Sequence, residues 1–234
     1  MLATKERIIA DRSIATERYI LQTLPLLYLP LWKSDGSSQF LSSDGHGHLC
    51  TVTGALWTPQ GRKFDDNDDQ IEIPSFEVID FTIAVWVKRT ATGGFDFVGN
   101  KWEETGDERV WQFLIRNTDV LTFAVSKTGA AAGDTSLNSS GTIDATWHLI
   151  QATYKFIADG TSEIRFCIDG AIDATVSNTA VGPPFVTTES ILFGYRKELN
   201  NPFGGMMGEV WMWSRAFDGQ ESSRLYEATR WRYQ

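Results

Sequence analysis

Cysteine is scarce in this chain of 234 residues, and Cys50 and Cys167 alone do not amount to a disulfide framework. A secretory leader is not visible either: residues 1–18 carry Lys5, Glu6, Arg7, Asp11, Arg12, Glu17 and Arg18 where an apolar middle belongs. The expectation is a chain that stays in its cell of synthesis or leaves by assembly or lysis, on a virion surface or otherwise cytoplasmic. Basic charge is also short. A net charge of -9 and a pI near 4.8 exclude the footprint that nucleic acid or an anionic lipid surface requires. The most apolar run, residues 19–32, contains Pro25 and Pro30 and falls short of the roughly 20 apolar residues of a membrane span. The three histidines, His46, His48 and His148, sit near no nucleophile elbow, so Ser/His/Asp chemistry has no support.

What is present is strand and turn chemistry, with 20 Gly, 9 Trp and 14 Phe. Phe81, Ile83, Val85 and Val87 alternate with Thr82, Ala84, Trp86 and Lys88, which predicts a strand with one buried face. Similar segments recur at residues 111–116, 121–126, 148–156, 163–168, 190–195 and 209–214. Turn residues separate them, among them Asp169-Gly170 and Gly182-Pro183-Pro184. Many short strands without intervening helices predict an all-β antiparallel sandwich. Residues 129–141, rich in Gly, Ala and Ser, are expected to be a mobile loop.

Two helices frame the strands. Residues 3–22 lack Gly and Pro and show two apolar stripes, Ile8/Ala15/Tyr19 and Ala10/Ile14/Leu21. They suit either a helix packed on the domain's own edge or an anchor for self-association or other structural proteins. Residues 218–230 read as a C-terminal helix, capped by Asp218, with Leu225 and Tyr226 facing inward. The expected organisation is an extension over residues 1–24 and a single β-domain over 25–234.

The ordered series LYLPLW, SSDGHGHLCTVTGALW, GRKFDDNDDQIEIP, FTIAVWVKR, VGNKW, WHLIQATY, IRFCIDG, ILFGY and FGGMMGEVWMWSRAF resembles a laminin-G-like jelly roll of the concanavalin A-like lectin/glucanase superfamily. The resemblance covers residues 26–230 and implies two curved antiparallel sheets. Within such a superfamily the tasks range over sugar binding, adhesion and structural capping, so the fold leaves the function open. The Glu-x-Asp-x-x-Glu pattern of laminarinase-like members, which sets two carboxylates about 5 to 5.5 Å apart, is missing. Glu103, Glu104, Asp107 and Glu108 surround a glycine instead, as in a solvated loop.

Two kinds of site follow. FDDNDDQIEIP holds four aspartates in five residues, yet no EF-hand register fits: counting from Asp65 places Gln70 at the glycine position, and counting from Asp66 places Ile71 there. The segment resembles the family's turn into a strand, where the carboxylates shape the turn. Some relatives bind structural calcium through an acid before the Glu-Val of the last long strand. Here Gly208 precedes Glu209-Val210, which leaves Asp68, Asp69 and Glu209 as the candidate oxygen donors. His46-Gly47-His48 offers two imidazoles and no evident third ligand. Sugar binding needs aromatic platforms beside polar groups. Trp86, opposite the buried face of its strand, Trp211 and Trp213, opposite Val210 and Met212, and Trp102, in a loop after Lys101, are the candidate platforms. Trp211 and Trp213 suit equally a contact beneath the N-terminal helix or a neighbouring subunit. The expectation is thus a non-catalytic binding or adhesion module, within a larger assembly such as a phage virion or as a stand-alone lectin-like protein, with surface glycans as ligands. A glycoside hydrolase is the remaining reading.

Overall fold

The structure, a computed structural model, describes residues 23–33, 38–158, 161–178, 182–198 and 202–234. The helix expected over residues 3–22 lies outside the described residues.

Two antiparallel sheets form a sandwich. Sheet I orders β14 (Ala171–Asn178), β13 (Thr161–Ile168), β12 (Trp147–Ala158), β7 (Phe81–Arg89), β16 (Gly204–Trp213), β5 (Gly61–Asp65) and β4 (Leu56–Thr58), and β1 (Leu27–Pro30) also pairs with β16. Sheet II orders β11 (Asp134–Thr142), β10 (Val120–Ser126), β9 (Glu108–Ile115), β8 (Asp96–Glu103), β15 (Ile191–Phe193), β6 (Gln70–Ile73), β3 (Leu49–Thr53) and β2 (Gln39–Leu41). The alternation in β7 sets the register. Val85 lies opposite Ile150 on one side and Val210 on the other, and all three enter the interior between the sheets. Phe113 and Phe123 pair across β9 and β10 and meet them from sheet II. Cys50 on β3 and Cys167 on β13 are buried, one in each sheet.

Two expectations about exposure are corrected. The outer face of β7 is buried at Thr82, Ala84 and Trp86, and only Lys88 is exposed. Helix α1 (Gly219–Thr229) and the residues after it cover sheet I and make a second apolar layer of Tyr28, Trp86, Leu149, Trp211, Trp213, Phe217, Leu225 and Tyr233. Asp218 caps α1 by accepting from the Glu221 N–H, while the Glu221 side chain accepts from the Asp218 N–H, a reciprocal capping box. Leu225 faces inward as expected. The second correction concerns residues 129–141, of which 134 onward form β11 rather than a loop. Small polar side chains hold this edge strand: Thr122 Oγ1 donates to Asn138 Oδ1 at 2.7 Å, and the Leu121 N–H donates to Ser139 Oγ at 2.8 Å. Among the described residues no helix is long and apolar enough to cross a membrane.

Candidate ligand-binding site

At one rim of the sandwich, the turn from β5 to β6 and the loop from β7 to β8 enclose a cleft of about 540 Å³, closed on one side by Gly204 at the start of β16. Its volume falls within the roughly 300–1,000 Å³ of small-molecule sites. Lys63, Asp65, Asp66 and Thr92 present polar groups, and Phe95 is 39% exposed, with the Arg116 guanidinium 5.8 Å from its ring centroid. A recess of about 280 Å³ shares Lys63 and Thr90 and adds Lys88.

Each wall is built by identifiable chemistry. In the acidic turn, Asp66 adopts a left-handed φ of 65°, a conformation that Asp tolerates better than most residues. The Asp65 N–H donates to Asp69 Oδ2 at 2.9 Å and the Asn67 N–H donates to Asp65 Oδ1 at 3.1 Å, so the carboxylates satisfy the turn's backbone. Asp69 is buried against Gly54, where an added Cβ would lie 1.7 Å from Asp69 Oδ1. Burial raises the Asp69 carboxyl above its ordinary pKa, and the nearby Asp65 and Asp68 push the same way against the Asp65 N–H.

The opposite wall hangs on Arg89, whose side chain is fully buried. Arg89 Nε donates to Asp96 Oδ2 at 2.7 Å, Nη1 to Asp119 Oδ1 at 2.6 Å and to the Ile143 carbonyl at 3.2 Å, and Nη2 to the Gly94 carbonyl at 3.0 Å. Asp119 Oδ1 also accepts from the Gly93 N–H, and Asp96 Oδ1 from the Gly204 N–H. One guanidinium thus ties the 90–95 loop, the interior and β16 together. The Arg89 hydrogen bond holds Asp119 below its ordinary pKa, while burial raises Asp96 despite the Gly204 N–H and Arg89.

The sequence-predicted residues fall elsewhere. Trp86, Trp211 and Trp213 are all but fully buried under α1 and the C-terminal residues, so their rings are not free platforms. Trp86 stacks 4.5 Å from the Tyr233 ring and donates its indole N–H to Thr229 Oγ1 at 2.9 Å. Trp211 stacks on Tyr28, and Trp213 lies 4.4 Å from Phe217 and donates to Thr23 Oγ1. Trp102 belongs to β8 rather than to a loop, and its ring is 6% exposed beneath Arg196.

Asp68 and Asp69 do come together, with Asp65 as their third member. One carboxylate oxygen from each lies within 4.8 Å of the others. Glu209 is not among them. It is fully buried on the covered face of sheet I, where Tyr28 and Tyr233 hydroxyls donate to it at 2.8 and 3.1 Å and Arg232 Nη1 lies 2.6 Å away. Gly208 has a local cause as well: a Cβ there would lie 2.3 Å from the Tyr233 ring. The space of the family's expected acid is therefore filled by the chain's own C-terminal tyrosine. His46 and His48 rings lie 5.7 Å apart, and His48 Nε2 meets the Leu26 carbonyl at 3.0 Å. Sequence reasoning missed Phe95 and Arg89; the one signal for Phe95 was an aromatic directly after Gly93-Gly94 in a separator between strands.

A family profile described as concanavalin A-like lectin/glucanases superfamily matches residues 65–221. No curated protein matches the sequence. Among solved structures, the chain is similar to the botulinum neurotoxin serotype D ligand binding domain in complex with N-acetylneuraminic acid, with a TM-score of 0.68 and 13% identity over 89% of this chain and 52% of that one. It is similar also to the botulinum neurotoxin type G receptor binding domain (TM-score 0.67, 14% identity, 87% of this chain and 51% of that one). A third is the binding domain of Paraclostridial Mosquitocidal Protein 1 (TM-score 0.66, 14% identity, 88% and 52%). The chain spans about half the length of these domains, and at such identities the likeness concerns the fold. By its profile match and its two-sheet architecture, the chain belongs to the concanavalin A-like lectin/glucanase superfamily, as a laminin-G-like jelly roll.

Proposed function

We propose that the chain is a non-catalytic binding module that takes a surface glycan in the rim cleft between the acidic turn and the 90–95 loop. The observation that carries this reading is Phe95, an exposed ring at a cleft whose lining also includes the polar residues Lys63, Asp65, Asp66 and Thr92. A pyranose has an apolar face for such a ring and a hydroxyl rim for such side chains. The solved neighbours, a ligand binding domain and a receptor binding domain of botulinum neurotoxins, support the same class. A glycan array on wild type and on Phe95→Ala tests it, and an array without wild-type hits contradicts it.

Calcium on Asp65, Asp68 and Asp69 belongs to the same proposal. Oxygen donors are the ligands calcium takes, although three carboxylates are half of a minimal shell of about six. Such an ion would offset part of the negative charge of the turn that forms one wall of the cleft.

Display of this module on a larger particle, such as a phage virion, is the wider proposal, set against a stand-alone lectin-like protein. It is supported by the charged residues 1–18 ahead of the β-domain, and by Thr23, which bonds Trp213 on the covered face of sheet I. Mass in solution for the full chain and for a chain beginning at Thr23 separates the two: a full chain that is already monomeric contradicts self-association through this segment.

A further inference from the structure

The rim cleft and the recess of about 280 Å³ beside it share Lys63 and Thr90 but differ in charge. The cleft sets Asp65, Asp66 and Asp96 against Lys63, whereas the recess is lined by Lys63, Lys88 and Arg89 without an acidic residue. Arg89 adds no free charge there, because Asp96 and Asp119 pair with it. Lys63 and Lys88 are different. Both are exposed, and neither ammonium has an ion-pair partner among the described residues.

The strand register puts these two cations together. Met206 on β16 lies opposite Lys63 on β5 and opposite Lys88 on β7. Residues directly opposite share a face, so the three side chains stand in one row across the outer face of sheet I. Two strand spacings, roughly 10 Å, separate the lysine backbones, with the half-buried Met206 between them. Flexible four-carbon stems let both ammonium groups close on one anion above Met206. Asp65 shares this face two residues along β5, but its Oδ1 accepts the Asn67 N–H in the acidic turn, and it makes no ion pair with Lys63.

A long polyanion does not suit this surface, since a net charge of -9 repels it and Asp65 and Asp66 stand alongside. One anionic substituent on a small ligand meets the two lysines alone. We infer that Lys63 and Lys88 make the site selective for acidic saccharides, by holding a single carboxylate or sulfate ester of the bound glycan in the recess. The inference rests on the rim-cleft reading, which by itself leaves the charge of the sugar open.

Ligand-observed NMR titrations of the full chain test it with three pairs of probes that differ in charge. These are methyl glucuronide and methyl glucoside, the methyl glycoside of N-acetylneuraminic acid and its carboxylate methyl ester, and galactose 6-sulfate and galactose. The expected result is an acidic member that binds about tenfold more tightly than its neutral counterpart in at least one pair, and the pair concerned tells carboxylate from sulfate. Lys63→Gln and Lys88→Gln each weaken the acidic probe about threefold, as for a solvent-exposed ion pair, and the double variant brings it to the level of the neutral one, whose own binding is unchanged. Salt at about 1 M, where the screening length falls to about 3 Å, narrows the same difference. Acidic and neutral members that bind alike, or a preference that survives the double variant, overturn the inference and leave the rim cleft standing. No binding by any probe, or binding untouched by Phe95→Ala, contradicts the rim-cleft reading and the inference with it.

Discussion

Replacing Arg89 with Met tests how the cleft is built. The side chain is fully buried and supplies four hydrogen bonds, two of them to the carboxylates of Asp96 and Asp119. Asp119 is 28% exposed, so water can replace its partner, but Asp96 is only 8% exposed and keeps only the Gly204 N–H. Removing one member of a buried pair costs about 3–5 kcal/mol, since the other charge stays buried without compensation. That is a large part of the roughly 5–15 kcal/mol that holds a domain folded. Burial already raises the Asp96 pKa, and loss of the cation moves it further in the same direction. A group whose folded pKa exceeds its unfolded value adds stability below the unfolded pKa and loses it as pH rises through the folded one. The deficit of Arg89→Met is therefore smaller around pH 4 than around pH 7. Urea unfolding of wild type, Arg89→Met, Asp96→Asn and the double variant measures it, and the double variant is expected to recover part of the loss. A single-variant cost below about 1 kcal/mol, or a purely additive double variant, would refute the reasoning.

Further outcomes concern the covered face and the turns. Glu209→Ala leaves Arg232 buried without its carboxylate and is expected to cost about 3–5 kcal/mol in urea unfolding, with Glu209→Gln milder; a cost near zero means the pair is not formed. His148 is raised above its ordinary pKa by the Asp169 hydrogen bond at 2.8 Å and by Asp144 at 3.0 Å, against burial. Its contribution is complete below the unfolded value of about 6.5 and is lost as pH rises through the folded one, so wild type but not His148→Gln loses stability from about pH 6.5 upward. The proposed calcium at Asp65, Asp68 and Asp69 is expected to raise the melting temperature by mass action, and Asp68→Asn to remove that gain; melting that is unchanged by calcium and chelator retires the ion.

Features with local causes were legible in the sequence. The alternation of β7 gave its inner face, and Asp218 with Glu221 gave the start of α1. The acidic turn was legible as a turn because its carboxylates bond residues two to four positions away. What was hidden depended on distant partners. Trp86 takes its cover from Thr229 and Tyr233, and Glu209 bonds Tyr28 across 181 residues of chain. A period of two marks which side chains share a face, but not whether a helix lies on the other face. β11 was hidden for a different reason: hydrogen bonds accepted by the Ser139 and Asn138 side chains stand in for the apolar face by which strands are recognised. The cleft shares this limit, since Arg89 looks like any residue at a strand end until Asp96, Asp119 and Gly94 close around it.

The central claim, glycan capture at the rim cleft through Phe95, is tested most directly by binding isotherms for the strongest wild-type hit of a glycan array, repeated on Phe95→Ala. The account predicts a loss of about tenfold or more, at least about 1.4 kcal/mol, in a variant whose unfolding curve matches wild type. Undiminished binding by Phe95→Ala would contradict it.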